Sequence, residues 1–426
     1  MFFIFYEVAL HLLALGMFPV FLWRFFVRKR YQKSFFSRLG FFFPKIDKGE
    51  RKCIWIHAVS VGEAKAVSSL IKTIRKNLPE VVIVLSSTTE TGHTEAKNSV
   101  FGIDHYVYLP FDFSYVVGKI IRRVKPDLVL LCETDFWYNF QRYAKSEGAK
   151  VVLVNGKISE NSLRRHQKFS LFSRHIFSDI DLFCVQSDLH WNRFEKLSIP
   201  KEKIATTGNL KLDDVYPVMS DKERLEWRVK LGLREGDRVL VIGSTHAPEE
   251  KGILQEIHPL LCNASYKLKV ILAPRHPERC LDVENILKKQ KLSYIRFSEI
   301  SNRSSEEQVV LIDGIGLLRK LYQLASVAIV AGSYTEKVGG HNILEPSWYG
   351  VPVVCGPHMH SQVDFLDLQK EHSSGVQVEL KNLASELSLL LTDENKRASM
   401  GKNGLQAIAK ARGATNRTWE KVQALL

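Results

Sequence analysis

Cysteine is sparse in this 426-residue chain and falls in no recurrent spacing. The six, Cys53, Cys132, Cys184, Cys262, Cys280 and Cys355, are scattered through apolar stretches without a C-x-x-C pair. That argues against a zinc site or a disulfide framework and fits a reducing compartment. Two nucleotide signatures are also missing, G-x-x-x-x-G-K-[ST] and G-x-G-x-x-G, so ATPase and dinucleotide-dehydrogenase readings lose their main support. No internal repeat or low-complexity tract stands out. There is no interleaving of basic and aromatic residues and no RNA or DNA motif. This last absence matters because the charge alone, 60 Lys and Arg against 46 Asp and Glu for a formal +14, would suit nucleic acid, acidic lipid or sugar phosphate alike.

What is present is an ordinary globular composition, 45% hydrophobic and 25% charged, in a chain long enough for two domains. Residues 1–30 read as a membrane anchor: Met1 to Val27 is rich in Phe, Leu and Val and is followed at once by Arg28, Lys29 and Arg30. Glu7, His11 and Arg24 leave an uncharged core shorter than the roughly 20 residues of a comfortable spanning helix, so a shallow or tilted insertion fits as well as a crossing. No small-residue cleavage site follows, which argues against a removed signal peptide. The basic cluster predicts that the remainder stays cytoplasmic. A buried N-terminal helix is the alternative.

Beyond residue 30 short β-branched runs alternate with helical stretches. CIWIHAV (53–59), VVIVLSST (81–88), DLVLLCE (127–133) and VVLVN (151–155) are nearly continuous apolar runs, as parallel strands covered on both faces require. A second series contains RVLVIGST (238–245), LKVILAPRH (268–276), VVLID (309–313), VAIVAGS (327–333) and VPVVCG (351–356). The spacing predicts two doubly wound α/β domains, 31–215 and 216–426, with a polar linker and surface helix between Asp213 and Asp237. Helical patterns run from Asn382 to the end, broken at Gly413. Ligands of such sheets bind beyond the strand carboxyl ends, so two facing domains would line a cleft with the residues found there.

Those residues are unusually polar. Gly62 permits a tight turn after the first strand, and Glu63 falls at the start of a helix, either as a general base or as an acid favoured by the helix dipole. Ser60 and Gly62 flank it as candidate substrate contacts. Glu133 and Asp135 end another strand, and Glu133 could instead cap a helix or pair with Lys157. Arg164, Arg165, Lys157, Asn209 and Lys211 are anion-seeking, although a solvated helix face is an equal reading for the two arginines. In the second half Ser244 and Thr245 sit in a Gly-Ser-Thr turn placed at a helix N-terminus, a geometry that holds phosphate. Arg275 lies between two prolines. Gly332, Gly339 and Gly340 precede a short helix expected to carry Asn342, with Glu345 one turn inside and suited to ribose hydroxyls.

Read in order, WIHAVSVGE, ETDFWYN, NGKISENS, GNLKLD, GSTHAPEE, APRHPER, GSYTEKVGGHNILEP and GVPVVCGPH resemble the Kdo (3-deoxy-D-manno-octulosonic acid) transferase family over almost the whole chain, and RLG (38–40) matches the family's start. The resemblance implies a GT-B fold and inverting, metal-independent transfer of one or more Kdo units from CMP-Kdo to a lipid A precursor. Glu63 then stands at the general base, and Glu133 and Lys211 at positions that support the transition state. Arg275 and His276 match the CMP-contacting pair, and Asn342, Ile343, Leu344 and Glu345 the nucleotide loop and helix. Ile315, Gly316 and Leu317 fill the stretch where the family shows a Gly-Glu-Leu type sequence. The implied partners are CMP-Kdo, the lipid A precursor and membrane lipids, with no cofactor, no metal and no nucleic acid. The implied place is the cytoplasmic face of the bacterial inner membrane, on a single N-terminal anchor. Alternatives are another GT-B enzyme, a UDP-sugar transferase or epimerase, and a non-catalytic membrane-surface protein that binds anionic lipid.

Overall fold

A computed structural model describes residues 2–29, 31–262, 266–302 and 307–426. Met1 and Arg30, both counted in the expected anchor, lie outside the described residues. The chain forms two compact units, Met1–Asp214 with Ala411–Leu426, and Val215–Lys410. Each unit is built on its own seven-stranded sheet, every pair of which is parallel, flanked by helices in a GT-B-like α/β architecture.

In the first unit the strands are β1 (Cys53–His57), β2 (Val82–Ser87), β3 (His105–Tyr108), β4 (Leu128–Cys132), β5 (Lys150–Gly156), β6 (Leu182–Val185) and β7 (Ile204–Thr206). Their order is β3-β2-β1-β4-β5-β6-β7. The central strands β1 and β4 are buried at every position, which is why their sequences read as unbroken apolar runs rather than as alternation. Ile54 pairs with Ile83 on one side and Leu128 on the other. Direction of winding reverses between β1 and β4.

The second unit contains β8 (Arg238–Thr245), β9 (Leu268–Pro274), β10 (Tyr294–Arg296), β11 (Val309–Leu311), β12 (Val327–Val330), β13 (Val353–Cys355) and β14 (Gly375–Gln377). The order β10-β11-β9-β8-β12-β13-β14 reverses between β8 and β12. In sheets of this kind the reversal opens a crevice at the strand carboxyl ends, so the loops after β1, β4, β8 and β12 are the places to look for ligands.

The helix Ala414–Gln423 belongs to the first unit. It packs on the helix Ser68–Asn77, and Trp419 and Val422 are buried in the core that also holds Leu70, Ile71 and Ile74. Gly413, at φ +93°, turns the chain into it, and Asp213 accepts a hydrogen bond from Gly413 N at 2.6 Å. At the other end of the sequence the helix Phe2–Phe26 is long and apolar enough to cross a membrane.

Candidate active site

Glu63 is the third residue of the helix Val61–Ala66, directly after β1. Ser60 Oγ accepts from Glu63 N at 3.3 Å and donates to Glu63 Oε1 at 3.0 Å, while Glu63 Oε2 accepts from Val59 N at 2.8 Å. The arrangement resembles a capping box, with the carboxylate reaching the N–H of the residue before the N-cap, so Glu63 does serve as a helix-start acid. Its surroundings add a second property. Partial burial raises its pKa, and the charge of Glu133 pushes the same way.

Glu133, after β4, is 5% exposed and holds two lysines at once: Lys211 Nζ lies 2.7 Å from Oε1 and Lys157 Nζ 2.6 Å from Oε2. Burial opposes its ionisation, but the two ammonium groups outweigh it and hold the carboxyl below the usual range. Glu133 therefore stays charged. Asp135, half-buried and under the charges of Glu63 and Glu133 with no such compensation, is raised to about 7.

Lys211 is itself fixed. Asn209 Oδ1 accepts from Lys211 N at 3.0 Å, Asn209 Nδ2 donates to Gln186 Oε1 at 3.1 Å, and Gln186 Nε2 donates to Asn155 O at 3.0 Å. Asn155 Oδ1 closes the circuit by accepting from Leu210 N at 3.0 Å. Glu133 at φ +59° and Asn155 at φ +53° are both left-handed at strand ends, a costly backbone for non-glycine residues that concentrates at functional sites.

The candidate Arg164 falls outside this group, and so does His57 at the end of β1. Arg164 is 73% exposed on the helix Glu160–Lys168 and sits 3.4 Å from Glu160, so the solvated-face reading describes it. His57 is buried with Nδ1 2.9 Å from Ser86 Oγ, and burial lowers its pKa to about 3, the signature of a packed neutral imidazole.

In the second unit β8 extends through Thr245, so Ser244 and Thr245 end a strand instead of forming the expected turn. Pairing of Thr245 with Pro274 keeps them in the sheet, and the turn falls at His246–Pro248. Ser244 is left-handed at φ +60°, and Thr245 Oγ1 is buried with no hydrogen-bond partner. Glu249 then starts the next helix, and its carboxylate joins two loops. Oε1 accepts from His246 N and Gly332 N, both at 2.7 Å, and Oε2 from Tyr334 N at 3.2 Å.

Those loops bring together His246 and His341, whose Nε2 atoms are 2.8 Å apart, one donating and the other accepting. Burial lowers the pKa of both, that of His341 to about 4, so the pair is neutral. The His276 ring is 5.6 Å from that of His246, and Arg275 N donates to Thr245 O at 3.0 Å, which ties APRHPER to the same strand end. Gly339 and Gly340 are left-handed at φ +75° and +90°; a Cβ on the first would come within 2.4 Å of His360 Nε2, and on the second within 2.4 Å of Met359 Sδ.

The following helix, Leu344–Ser347, is shorter than expected: Asn342 precedes it and Glu345 is its second residue. The reason is local, since the Asn342 side chain accepts from Leu344 N at 3.0 Å and stops the helix from extending backward. Ile343 and Leu344 are buried, and Glu345 is 3.7 Å from Arg319, which in turn covers the Tyr216 ring at 3.7 Å. Burial raises the Glu345 pKa. Ile315 is 86% exposed and Gly316 is left-handed at φ +83°. Among the described residues no group of three or more His, Cys, Asp or Glu is placed to hold a metal ion.

Comparison with known proteins decides what these sites belong to. Residues 33–214 match the family model described as 3-deoxy-D-manno-octulosonic-acid transferase (kdotransferase). A 3-deoxy-D-manno-octulosonic acid transferase of Chlamydophila psittaci is 35% identical over 94% of this chain and 92% of its own length. The chain belongs to the Kdo transferases. It is thus a glycosyltransferase, and its solved neighbours fit the fold. A glycosyltransferase from Rickettsia africae superposes with a TM-score of 0.62 over 88% of this chain and 99% of its own, at 12% identity. A UDP-N-acetylglucosamine 2-epimerase does so at 0.59 over 88% and 96%, at 14% identity. Likeness at that level carries architecture alone.

For this Kdo transferase, some of the site lies beyond sequence reasoning. Nothing local in the sequence singles out the bonds of Glu249 to Gly332 and Tyr334 or of Arg319 to Glu345, because those partners are remote along the chain. The expected pairing of Glu133 with Lys157 is present, whereas the second lysine, Lys211, on the same carboxylate and the effect of Glu133 on Asp135 emerge only from packing.

Proposed function

We propose that this chain transfers Kdo from CMP-Kdo to a lipid A precursor, with inversion and without a metal, at the cytoplasmic face of the bacterial inner membrane. The first unit serves the acceptor and the second the nucleotide. Glu63 takes the proton from an acceptor hydroxyl, the oxygen attacks the Kdo anomeric carbon, and the bond to the CMP phosphate breaks with its electron pair leaving on CMP.

The observation that carries this reading is the divergence of two neighbouring carboxylates. Glu63 is pushed up and becomes a better base, whereas Glu133 is held ionised by Lys157 and Lys211. Environments that drive carboxyl pKa values apart are how one site obtains two roles. Two ammonium groups on one carboxylate leave positive charge to spare for the Kdo carboxylate. On the donor side, a single phosphate can be met by Arg275 and backbone N–H groups, where diphosphate donors often enlist a divalent ion. Glu345 suits the ribose of CMP.

The test is transfer from CMP-Kdo to a tetraacylated lipid A precursor in the presence of chelator, beside Glu63→Gln. Loss of a general base predicts a fall of about 10²- to 10⁴-fold in kcat, with CMP binding unchanged by calorimetry. A variant that keeps wild-type kcat would remove Glu63 from the mechanism. A wild-type chain that binds UDP in preference to CMP would overturn the donor.

A further inference from the structure

Both ends of the helix Phe2–Phe26 are fastened to the first unit. Near its start Tyr6 Oη donates to Asp112 Oδ2 at 2.8 Å. The Glu7 carboxylate accepts from Ser114 N at 3.3 Å, from Ser114 Oγ at 3.0 Å and from Asn139 Nδ2. Phe2 packs on Tyr138, Phe172 and His175, and Arg142 lies over the Phe3 ring at 4.2 Å. Near its end Phe21 stacks on Phe35 at 4.7 Å, Phe25 is 5.8 Å from the same ring, and Phe35 meets Phe111 of the domain at 5.8 Å. Lys33 N and Ser34 N, just beyond, donate to Glu90 Oε1 at 3.0 and 3.2 Å.

The two attachments use one side of the helix. Phe3 and Phe21 are separated by about five turns at 3.6 residues per turn, and Glu7 and Phe25 by the same interval, so each pair lies on one stripe. The opposite stripe carries Ile4, Phe5, Val8, Leu12, Leu22 and Phe26, all exposed, Phe26 to 68%, and between the two attachments Leu13 and Met17 are exposed on the near side as well, so the domain holds the helix by its ends. Polar Tyr6 and Glu7 are on the docked side, so the outer face has no charge.

A crossing helix cannot keep these contacts. To pass through a bilayer it would have to detach one end from the domain and carry Glu7 into hydrocarbon without Ser114 and Asn139, a costly place for a carboxylate. Arg24, Arg28, Lys29 and Lys33 cluster at the other end, Arg28 lying over the Trp23 ring at 4.5 Å. Beside them Phe36, Phe41 and Phe42 form a second exposed apolar group, Phe41 and Phe42 each 72% exposed. Basic residues around uncharged apolar surface fit anionic headgroups, and a net charge of +14 disfavours a second copy of the chain as the occupant.

We propose that this helix lies in the plane of an anionic bilayer surface, its outer stripe among the acyl chains and Phe41 and Phe42 inserted beside it, instead of crossing the bilayer. The inference rests on the membrane-bound Kdo-transferase reading only for the identity of the bilayer.

The experiment places a cysteine ahead of Met1 in the full chain with Cys262→Ser, because Cys262 is exposed and the other five cysteines are buried. A membrane-impermeant maleimide is applied to spheroplasts and to inverted vesicles. The in-plane helix predicts labelling in inverted vesicles and none above background in spheroplasts; labelling in spheroplasts overturns it. The double variant Phe41→Ser/Phe42→Ser is then floated with phosphatidylethanolamine–phosphatidylglycerol vesicles. Partition about tenfold weaker than wild type is expected. Unchanged partition, equal partition into uncharged phosphatidylcholine, or a lipid-free dimer that floats with neither overturns the proposed surface. Kdo transfer measured on the same samples separates the questions: an active enzyme labelled in spheroplasts sinks the topology alone, and an inactive one labelled only in inverted vesicles sinks the function alone.

Discussion

Glu133 holds Lys157 and Lys211 through a single buried side chain, so its removal should show first in stability. Removing one partner of a buried ion pair costs about 3–5 kcal/mol. Lys157 and Lys211 keep 40% and 31% of their side-chain exposure, so water can reclaim part of their charge and the lower end, about 3 kcal/mol, is the expectation for Glu133→Gln. That corresponds to a fall in melting temperature of about 6–12 °C, readable by calorimetry. Glu133 has a depressed pKa, so its contribution is present above the unfolded carboxyl value and is lost as pH falls through the folded one. Asp135 has the opposite sign. Its pKa, raised to about 7 from 3.8, means that the folded state binds the proton more tightly, so its contribution to stability declines as pH rises from about 4 to about 7. Asp135→Asn should therefore stabilise the protein at pH 8 and change little below pH 4. A melting temperature that drops equally at both pH values would contradict this account of the pocket.

At the scale of elements, the loops after β8 and β12 depend on Glu249, which satisfies three backbone N–H groups from both of them. Glu249→Ala leaves those donors unpaired, at about 1–3 kcal/mol each where they remain buried. If these loops hold the nucleotide as proposed, the expected signature is a KM for CMP-Kdo raised by about tenfold or more with a smaller change in kcat. Equal loss in kcat at an unchanged KM would point to a different role. No local signal in GSTHAPEE announces this bond, since Gly332 is remote in sequence. The central strands were legible for the converse reason: β1, β4, β8 and β9 are buried nearly throughout and so spell continuous apolar runs. β3, β7, β10 and β14 are short and lie at or near sheet edges, and strands such as Tyr294–Arg296, partly exposed at all three positions, carry no such run. Strand-end chemistry was legible because polar residues interrupt those runs. How long a strand or helix lasts there, as at Thr245 and Asn342, is set by pairing and by a single side-chain bond.

For the whole molecule the chain's path is part of its stability. The first unit is closed by residues that follow the entire second unit in sequence: Thr418 and Trp419 are buried on it, Thr415 Oγ1 is 2.9 Å from Ser69 Oγ, and Arg417 Nε donates to Thr207 O at 2.9 Å. Thr207 immediately precedes the Gly208–Lys211 segment that supplies Asn209 and Lys211, so the last helix braces the strand end from which the lysine paired with Glu133 projects. Truncating a buried tryptophan costs about 3–5 kcal/mol. Trp419→Ala should consequently lower an unfolding transition of the first unit while leaving CMP affinity, which we propose for the second, within error of wild type. Urea unfolding followed by two probes, a reporter on an exposed first-unit residue such as Leu171 and bound CMP, distinguishes the outcomes. A midpoint that falls for the reporter alone places the brace in the first unit. Two midpoints that fall together would mean that the units unfold as one cooperative body, and the final helix would then stabilise donor binding as well.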